Sequence, residues 1–300
     1  MNPYETDPEK IPASDLYWDI PSYGRYSPRP DDFRVDRQHV NSQSEDSLKY
    51  WASVLEHCDE TVRIYPADDD GRDVLALGSM IVKSSHLHKT RREDKVDYTY
   101  ADANEVQAIA LALGVLGDVK VPEIYFHGKI NGCAVIVQER IPGVALNVAW
   151  PYLSQVQKAS LKQQARQILR RLYAIKPTAG EHQGHQHVVP DPDILTSRRI
   201  NPLEREILFS TSTNEDADVG LMHNDLTTSN CIVDDDKIVG IIDWEIAGFF
   251  GWAAAAKIHS RIRTPQWEHF VNANLSEERL REIMVWNDLC LPDLRPRPLD

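Results

Sequence analysis

Leu221-Met-His-Asn-Asp-Leu-Thr-Thr-Ser-Asn230, continuing through Cys231-Ile-Val-Asp234 to Gly240-Ile-Ile-Asp-Trp-Glu245, decides how this chain is read. It gathers His223, Asp225, Asn230 and Asp243 into about two dozen residues, among short apolar runs. The pattern predicts a loop pinned between two small strands, carrying a metal and a base. Phosphoryl transfer asks for such a set, because its transition state is mostly charge on phosphate oxygens, met by metal, cation and a positioned base. Asp225 can accept or orient a hydroxyl proton. Asn230 offers a hard amide oxygen to magnesium, and Asp243 a carboxylate that can bridge metal and phosphates. His223 is expected to brace the loop through hydrogen bonds.

Upstream of this stretch the chain has strand character. Residues 61–65, 74–78 and 79–84 read as strands, with the acidic run 67–73 as a turn and Lys83 at the end of the third. Residues 86–100 are strongly charged and read as a surface insertion. Residues 102–116 predict an amphipathic helix, with Val106, Ile109, Ala110 and Leu113 on one face and Glu105 near its start. Residues 121–126 and 133–138 add two more strands, which makes a five-stranded, mostly antiparallel sheet with one long helix. Lys83 can neutralise phosphate there, and Glu105 can hold that lysine.

Pro142-Gly143 ends the strand signals, and beyond it the chain reads mostly helical: residues 154–174, 202–209, 252–262 and 276–289. Residues 1–45 combine proline with Tyr17, Trp18, Tyr23 and Tyr26, the composition of an extended arm packed on the body. A helix over 46–56 follows, led by a capping acid and carrying Leu48, Trp51 and Leu55 at helical spacing. The expected organisation is an arm over 1–45, a nucleotide-binding N-lobe over 46–140 and a helical C-lobe over 141–300 with the catalytic loop and substrate site.

The 300 residues are 42% hydrophobic and 26% charged, ordinary for a globular protein. No apolar run approaches the ~18 residues that span a bilayer, and the N-terminus lacks the basic start and apolar core of a signal peptide. The four cysteines lack paired spacing, so neither a disulfide framework nor a zinc site is expected. These features predict a cytoplasmic protein. The net charge of -13 repels nucleic-acid backbones and anionic membranes; it reads first as a solubility charge and second as one that could favour a cationic small molecule.

These motifs resemble those of the aminoglycoside phosphotransferase and choline kinase superfamily, with closest likeness to its fungal phosphotransferase-like branch. The family's His-x-Asp-x-x-x-x-Asn loop is matched from His223 through Asp225 to Asn230, and its metal motif by Ile242-Asp243-Trp244-Glu245. Its Pro-Gly hinge is matched by Gln138-Glu-Arg-Ile-Pro-Gly143, and its strand lysine and helix glutamate by Lys83 and Glu105. The resemblance spans residues 50–290. It implies an α+β, bilobal protein-kinase-like fold with an antiparallel-sheet N-lobe and a mostly helical C-lobe. It implies ATP and Mg2+ as cofactors and a small-molecule hydroxyl as acceptor. Asp225 would be the base, and Asn230 and Asp243 the metal ligands, with His223 and Glu245 in support. Lys83 would grip phosphate with Glu105 behind it, and the backbone from Glu139 to Ile141 would receive the adenine. The Asp-Phe-Gly and Ala-Pro-Glu signatures of protein kinases are missing, which argues against a peptide acceptor.

One departure stands out. Where the family covers phosphates with a short Gly- or Ser-containing loop, this chain carries Ala67-Asp-Asp-Asp-Gly-Arg-Asp73. Carboxylates near a triphosphate repel it unless they face solvent or Arg72 offsets them. That loop supports the alternative of a catalytically silent kinase-like binding protein. His182, His185 and His187 read as a polar loop before a metal cluster, Trp244 as packing, and Glu215, Asp216 and Asp218 as solvated acids.

Overall fold

The computed structural model describes residues 1–17, 23–66, 71–88, 97–178, 185–194, 200–209, 218–266, 270 and 275–290. Asp68, Asp69 and Asp70 of the acidic loop lie outside the described residues, as do residues 89–96, Trp18, His182, Glu215 and Asp216.

Helix α1 (Glu45–Glu56) precedes strands β1 (Arg63–Tyr65), β2 (Asp73–Leu77) and β3 (Met80–Ser84). Helix α2 (Thr99–Leu113) then leads to β4 (Ile124–Ile130) and β5 (Cys133–Glu139). The five strands form one antiparallel sheet in the order β1-β2-β3-β5-β4. Alternation decides which side chain faces what. Met80, Val82, Val135 and Val137 turn to α1 and join Trp51, Val54 and Leu55 in one core. Ile81 and Ile136 turn the other way, to Ala108, Ile109 and Ala112 of α2. Lys83, two residues after Ile81, shares that second face.

The rest is helix-rich, with two small sheets. Strand β6 (Val144–Ala145), α3 (Leu146–Ala149), α4 (Gln155–Tyr173), β7 (Gln186–His187) and α5 (Pro202–Phe209) come first. Strands β8 (Val219–Met222), β9 (Cys231–Asp234), β10 (Lys237–Ile241) and β11 (Gly248–Gly251) follow, then α6 (Trp252–Ile258) and α7 (Glu277–Met284). The small sheets run β10-β9-β6 and β7-β11-β8. A sheet-based part followed by a helix-rich part is the α+β, protein-kinase-like architecture that the motifs imply. Among the described residues no helix is long and apolar enough to cross a membrane.

Several local expectations are corrected. The cap of α1 is Ser44, whose hydroxyl accepts from the Ser47 N–H at 3.2 Å, not an acid. Asp73 belongs to β2 instead of the turn; its carboxylate is buried beside His88 at 2.9 Å and Arg63 at 3.6 Å. Helix α2 starts at Thr99, ahead of the expected Asp102. After α6 the backbone widens into a π turn, His259–Arg263, where one regular helix was expected, and α7 stops at Met284, short of the expected 289.

The arm lies on the body. Tyr23 and Tyr26 are buried, Arg25 reaches Asp15 at 2.9 Å, and Tyr26 and Gly143 exchange both backbone hydrogen bonds at 2.9 Å.

Candidate active site

The loop between β8 and β9 closes on itself. Thr227 N–H donates to the Asp225 carbonyl at 2.8 Å, and Asn230 N–H to the Thr227 carbonyl at 3.2 Å. Asn230 Nδ2 donates to the Asp225 carbonyl at 2.8 Å and to its carboxylate Oδ2 at 3.1 Å. Asp225 and Asn230 are thus tied to each other. Neighbours pin the loop: Asn147 N–H donates to the Thr228 carbonyl at 3.1 Å, and Trp286 Nε1 to the Leu226 carbonyl at 2.8 Å.

His223 is fully buried and edge-on to Trp244, with ring centroids 4.5 Å apart. Its Nε2 contacts the Ile242 carbonyl at 3.0 Å, and its Nδ1 accepts the Asp225 N–H at 3.3 Å. One ring nitrogen donates and the other accepts, which fixes a neutral imidazole with the proton on Nε2. Burial agrees, pushing the His223 pKa down to about 4. The ring joins the two motif segments. Ile242 N–H donates back to the Asn230 carbonyl at 3.1 Å, which sets Asp243 beside the catalytic loop.

Asn224 (φ 63°) and Asp243 (φ 66°) both hold left-handed backbone. For a non-glycine residue this costs about 1–3 kcal/mol, and such positions cluster at functional sites. Trp244 is fully buried, with Nε1 donating to the Ile241 carbonyl at 3.0 Å, so the side chain between Asp243 and Glu245 is packing.

Across the cleft, Lys83 Nζ lies 3.0 and 2.9 Å from the two Glu105 carboxylate oxygens and 2.7 Å from Asp243 Oδ1. Burial works against the Lys83 charge, yet Asp243 and Glu105 outweigh it and hold its pKa above the ordinary lysine value. For Asp243, burial opposes ionisation, and Lys83 overcomes it, so its pKa falls below the usual carboxylate value. The first turns of α2 supply two further links. Asp102 and Glu245 both hold Arg72, the latter at 3.0 Å, while the Tyr98 ring lies 4.5 Å from the guanidinium. Asn104 Nδ2 donates to the Glu245 and Ala247 carbonyls at 2.9 Å each. Arg72 is buried among these groups and ties the start of β2 to Glu245. Carboxylate oxygens of Glu105, Asp243 and Glu245 lie within 4.8 Å of one another.

Burial pushes the Asp225 pKa up to about 7, against the opposing pull of Arg263. Arg263 Nε sits 3.4 Å from Asp225 Oδ1, donates to the Asn224 carbonyl at 3.1 Å, and its Nη2 lies 2.6 Å from buried Glu204. The sequence carried no signal for Arg263, Glu204 or Asn104: each meets its partner across dozens of residues. His185, in contrast, uses its ring on the Leu208 carbonyl at 3.1 Å and the Gly251 N–H at 3.2 Å.

At the hinge, Glu139 N–H donates to the Glu123 carbonyl at 2.8 Å and Arg140 N–H to the Ser79 carbonyl at 3.0 Å. Ile141 N–H donates to the Tyr23 hydroxyl of the arm at 3.2 Å.

No curated protein is found to match the chain. Among solved structures it is similar to the streptomycin–ATP–APH(2")-IIa ternary complex, at 12% identity over 82% of this chain and 84% of that one, with TM-score 0.44. It is similar to the macrolide 2'-phosphotransferase MphH from Brachybacterium faecium, at 14% identity over 83% and 85%, with TM-score 0.43. The amicoumacin kinase hAmiN in complex with AMP-PNP, Ca2+ and Ami is similar at 14% identity over 82% and 86%, with TM-score 0.42. The model of the phosphotransferase enzyme family matches residues 68–275, a span that runs from before Lys83 to beyond Arg263. The chain belongs to the phosphotransferase enzyme family.

Proposed function

We propose that the protein is a small-molecule kinase that moves the γ-phosphate of ATP to a hydroxyl of its acceptor. The observation that carries this is the double engagement of Lys83, bonded to Glu105 on its own side and to Asp243 across the cleft. That cation sits where a triphosphate would lie between the sheet and the catalytic loop.

The donor set fits Mg2+, which prefers hard oxygen ligands. The Asn230 amide nitrogen is used on Asp225, and among the described residues its Oδ1 takes no hydrogen bond. Asp243, whose Oδ1 meets Lys83, has a second carboxylate oxygen to offer. Asn230 and Asp243 would hold the ion, with Glu245 in support. MgATP, when bound, supplies the phosphoryl group and part of its charge balance. The backbone from Glu139 to Ile141 receives the adenine, and Lys83 meets phosphate while Glu105 keeps the ammonium in place.

Asp225 takes the acceptor's hydroxyl proton or orients that hydroxyl. Arg263 and the Asn230 amide keep the carboxylate aimed, and neutral His223 holds its backbone. With a pKa near 7, Asp225 is poised between its two protonation states at neutral pH. A cationic acceptor fits the net charge of -13.

The test is ATP consumption with mass spectrometry of products, against pooled amino alcohols, aminoglycosides and cell extract. Asp225→Ala should abolish transfer while leaving MgATP binding largely intact; equal turnover by that variant would remove the mechanism. One observation favours a second reading, a kinase-like binding protein without transfer: Ile141 N–H is already taken by Tyr23. Failure of MgATP to raise the melting temperature would favour it.

A further inference from the structure

We infer that the N-terminal arm is a built-in occupant of the adenine slot, with Tyr23 standing in for the base, and that nucleotide enters only as this segment withdraws. This rests on reading residues 139–141 as the adenine contact.

Of the three N–H groups at 139–141, those of Glu139 and Arg140 donate to carbonyls of the lobe itself, at 2.8 and 3.0 Å. Only the Ile141 N–H is left to face a ligand, and it meets the Tyr23 hydroxyl at 3.2 Å. A purine ring nitrogen would accept that same hydrogen. The Tyr23 side chain is 2% exposed, and its hydroxyl lies within electrostatic reach of Lys83. Its backbone lies close to the hydroxyl of Tyr65, on β1 at the roof of the cleft. A flat aromatic ring therefore lies between roof strand and hinge, on the way to the phosphate-gripping lysine. It carries one polar atom on the hinge donor. An adenine cannot share that space.

The contacts beside Tyr23 give it the character of a tethered plug. Gly24 has φ 105°, and a Cβ built on it would lie 2.0 Å from the Ala145 nitrogen. Only glycine lets the arm pass this close to β6. Tyr26 extends the contact by its paired backbone bonds to Gly143. Arg140 lies over the Tyr26 ring, 4.2 Å from its centroid. Arg25, held by Asp15 at 2.9 Å, keeps the segment tied to the rest of the arm as Tyr23 and Tyr26 come away from the hinge.

When only a fraction of molecules has the slot open, apparent nucleotide affinity falls by that fraction. Substitutions that dislodge the plug should therefore tighten binding. Titration calorimetry of MgATP and of adenosine on the full-length chain measures this. Tyr23→Ala removes the ring. Gly24→Ala, outside the slot, forces the segment off Ala145. Each should tighten both ligands by about tenfold or more, and Tyr23→Phe, which keeps the ring, by only a few-fold. In the parent chain, MgATP should speed hydrogen exchange of the Tyr26 and Gly143 amides. Equal dissociation constants in the parent, Tyr23→Ala and Gly24→Ala, all folded by circular dichroism, would overturn the plug and leave the hinge reading standing. No binding of either ligand by any of the folded chains would overturn the hinge reading, and the plug with it.

Discussion

The two ends of the cleft are built from opposite materials. At the phosphate end, charged side chains reach across: Lys83 to Asp243, and Arg72 to Glu245. At the hinge end, the contacts are a buried aromatic ring, one neutral hydrogen bond and backbone pairing with the arm. The first end holds its own cations and carboxylates in mutual balance, ready for a charged ligand. The second is filled by the chain itself. A site can thus be organised for chemistry at one end and closed to ligand at the other, and the two properties should separate experimentally.

Asp225→Ala tests the charged end hardest. Transfer should fall by about 10²–10⁴-fold, the usual contribution of a positioned base, with adenosine binding unchanged in a calorimeter. Lys83→Met comes next. It leaves Glu105 buried without its cation, and breaking such a pair costs about 3–5 kcal/mol, readable by urea unfolding. Triphosphate affinity should fall with it, while adenosine affinity stays.

A pH profile sharpens the contrast further. The Asp225 pKa is raised to about 7. The base is therefore lost as pH falls through 7, and kcat/KM should drop about tenfold per pH unit below that. Arg263→Gln removes the charge that opposes the shift, so the midpoint should move to higher pH. A midpoint that stays put would show that Arg263 does not act on Asp225. The stability sign is the reverse: a raised carboxylate pKa favours the fold most below the unfolded value and loses this contribution as pH rises through 7. Asp225→Asn should therefore gain melting temperature over the parent at pH 8 and not at pH 4. Smallest is Asn104→Ala. Loss of its bonds to the Glu245 and Ala247 carbonyls should cost about 1–3 kcal/mol, with the pH midpoint unmoved.

Local signals carried much of this molecule. Strand character in residues 79–84 put Lys83 at a strand end. Helix α2 was visible from its apolar spacing, but its buried face runs through Ala101, Ala108, Ile109 and Ala112. Ala110 and Leu113, expected on the apolar face, are exposed. The loop from His223 to Asn230 was visible from residue types alone, because its chemistry needs those types at that spacing. The remainder depends on partners far along the chain. Among the described residues, the carboxylates that hold Arg72 come from Asp102 and Glu245, 30 and 173 positions along the chain. Nothing within a few residues of Arg263 foretells Asp225 or Glu204. Strands β6, β7 and β11 are two to four residues long, too short for any period to register. Tyr23 gave only its aromatic character, which predicted packing and not the donor it meets.

The left-handed backbone at Asp243 has an evolutionary consequence. Glycine would adopt that conformation without the steric cost that aspartate bears. Any descendant released from catalysis would thus have an easy downhill substitution, since the change that removes the carboxylate also relaxes the chain. Glycine at this position in a relative that keeps the rest of the loop would mark a retired enzyme, recognisable before any assay.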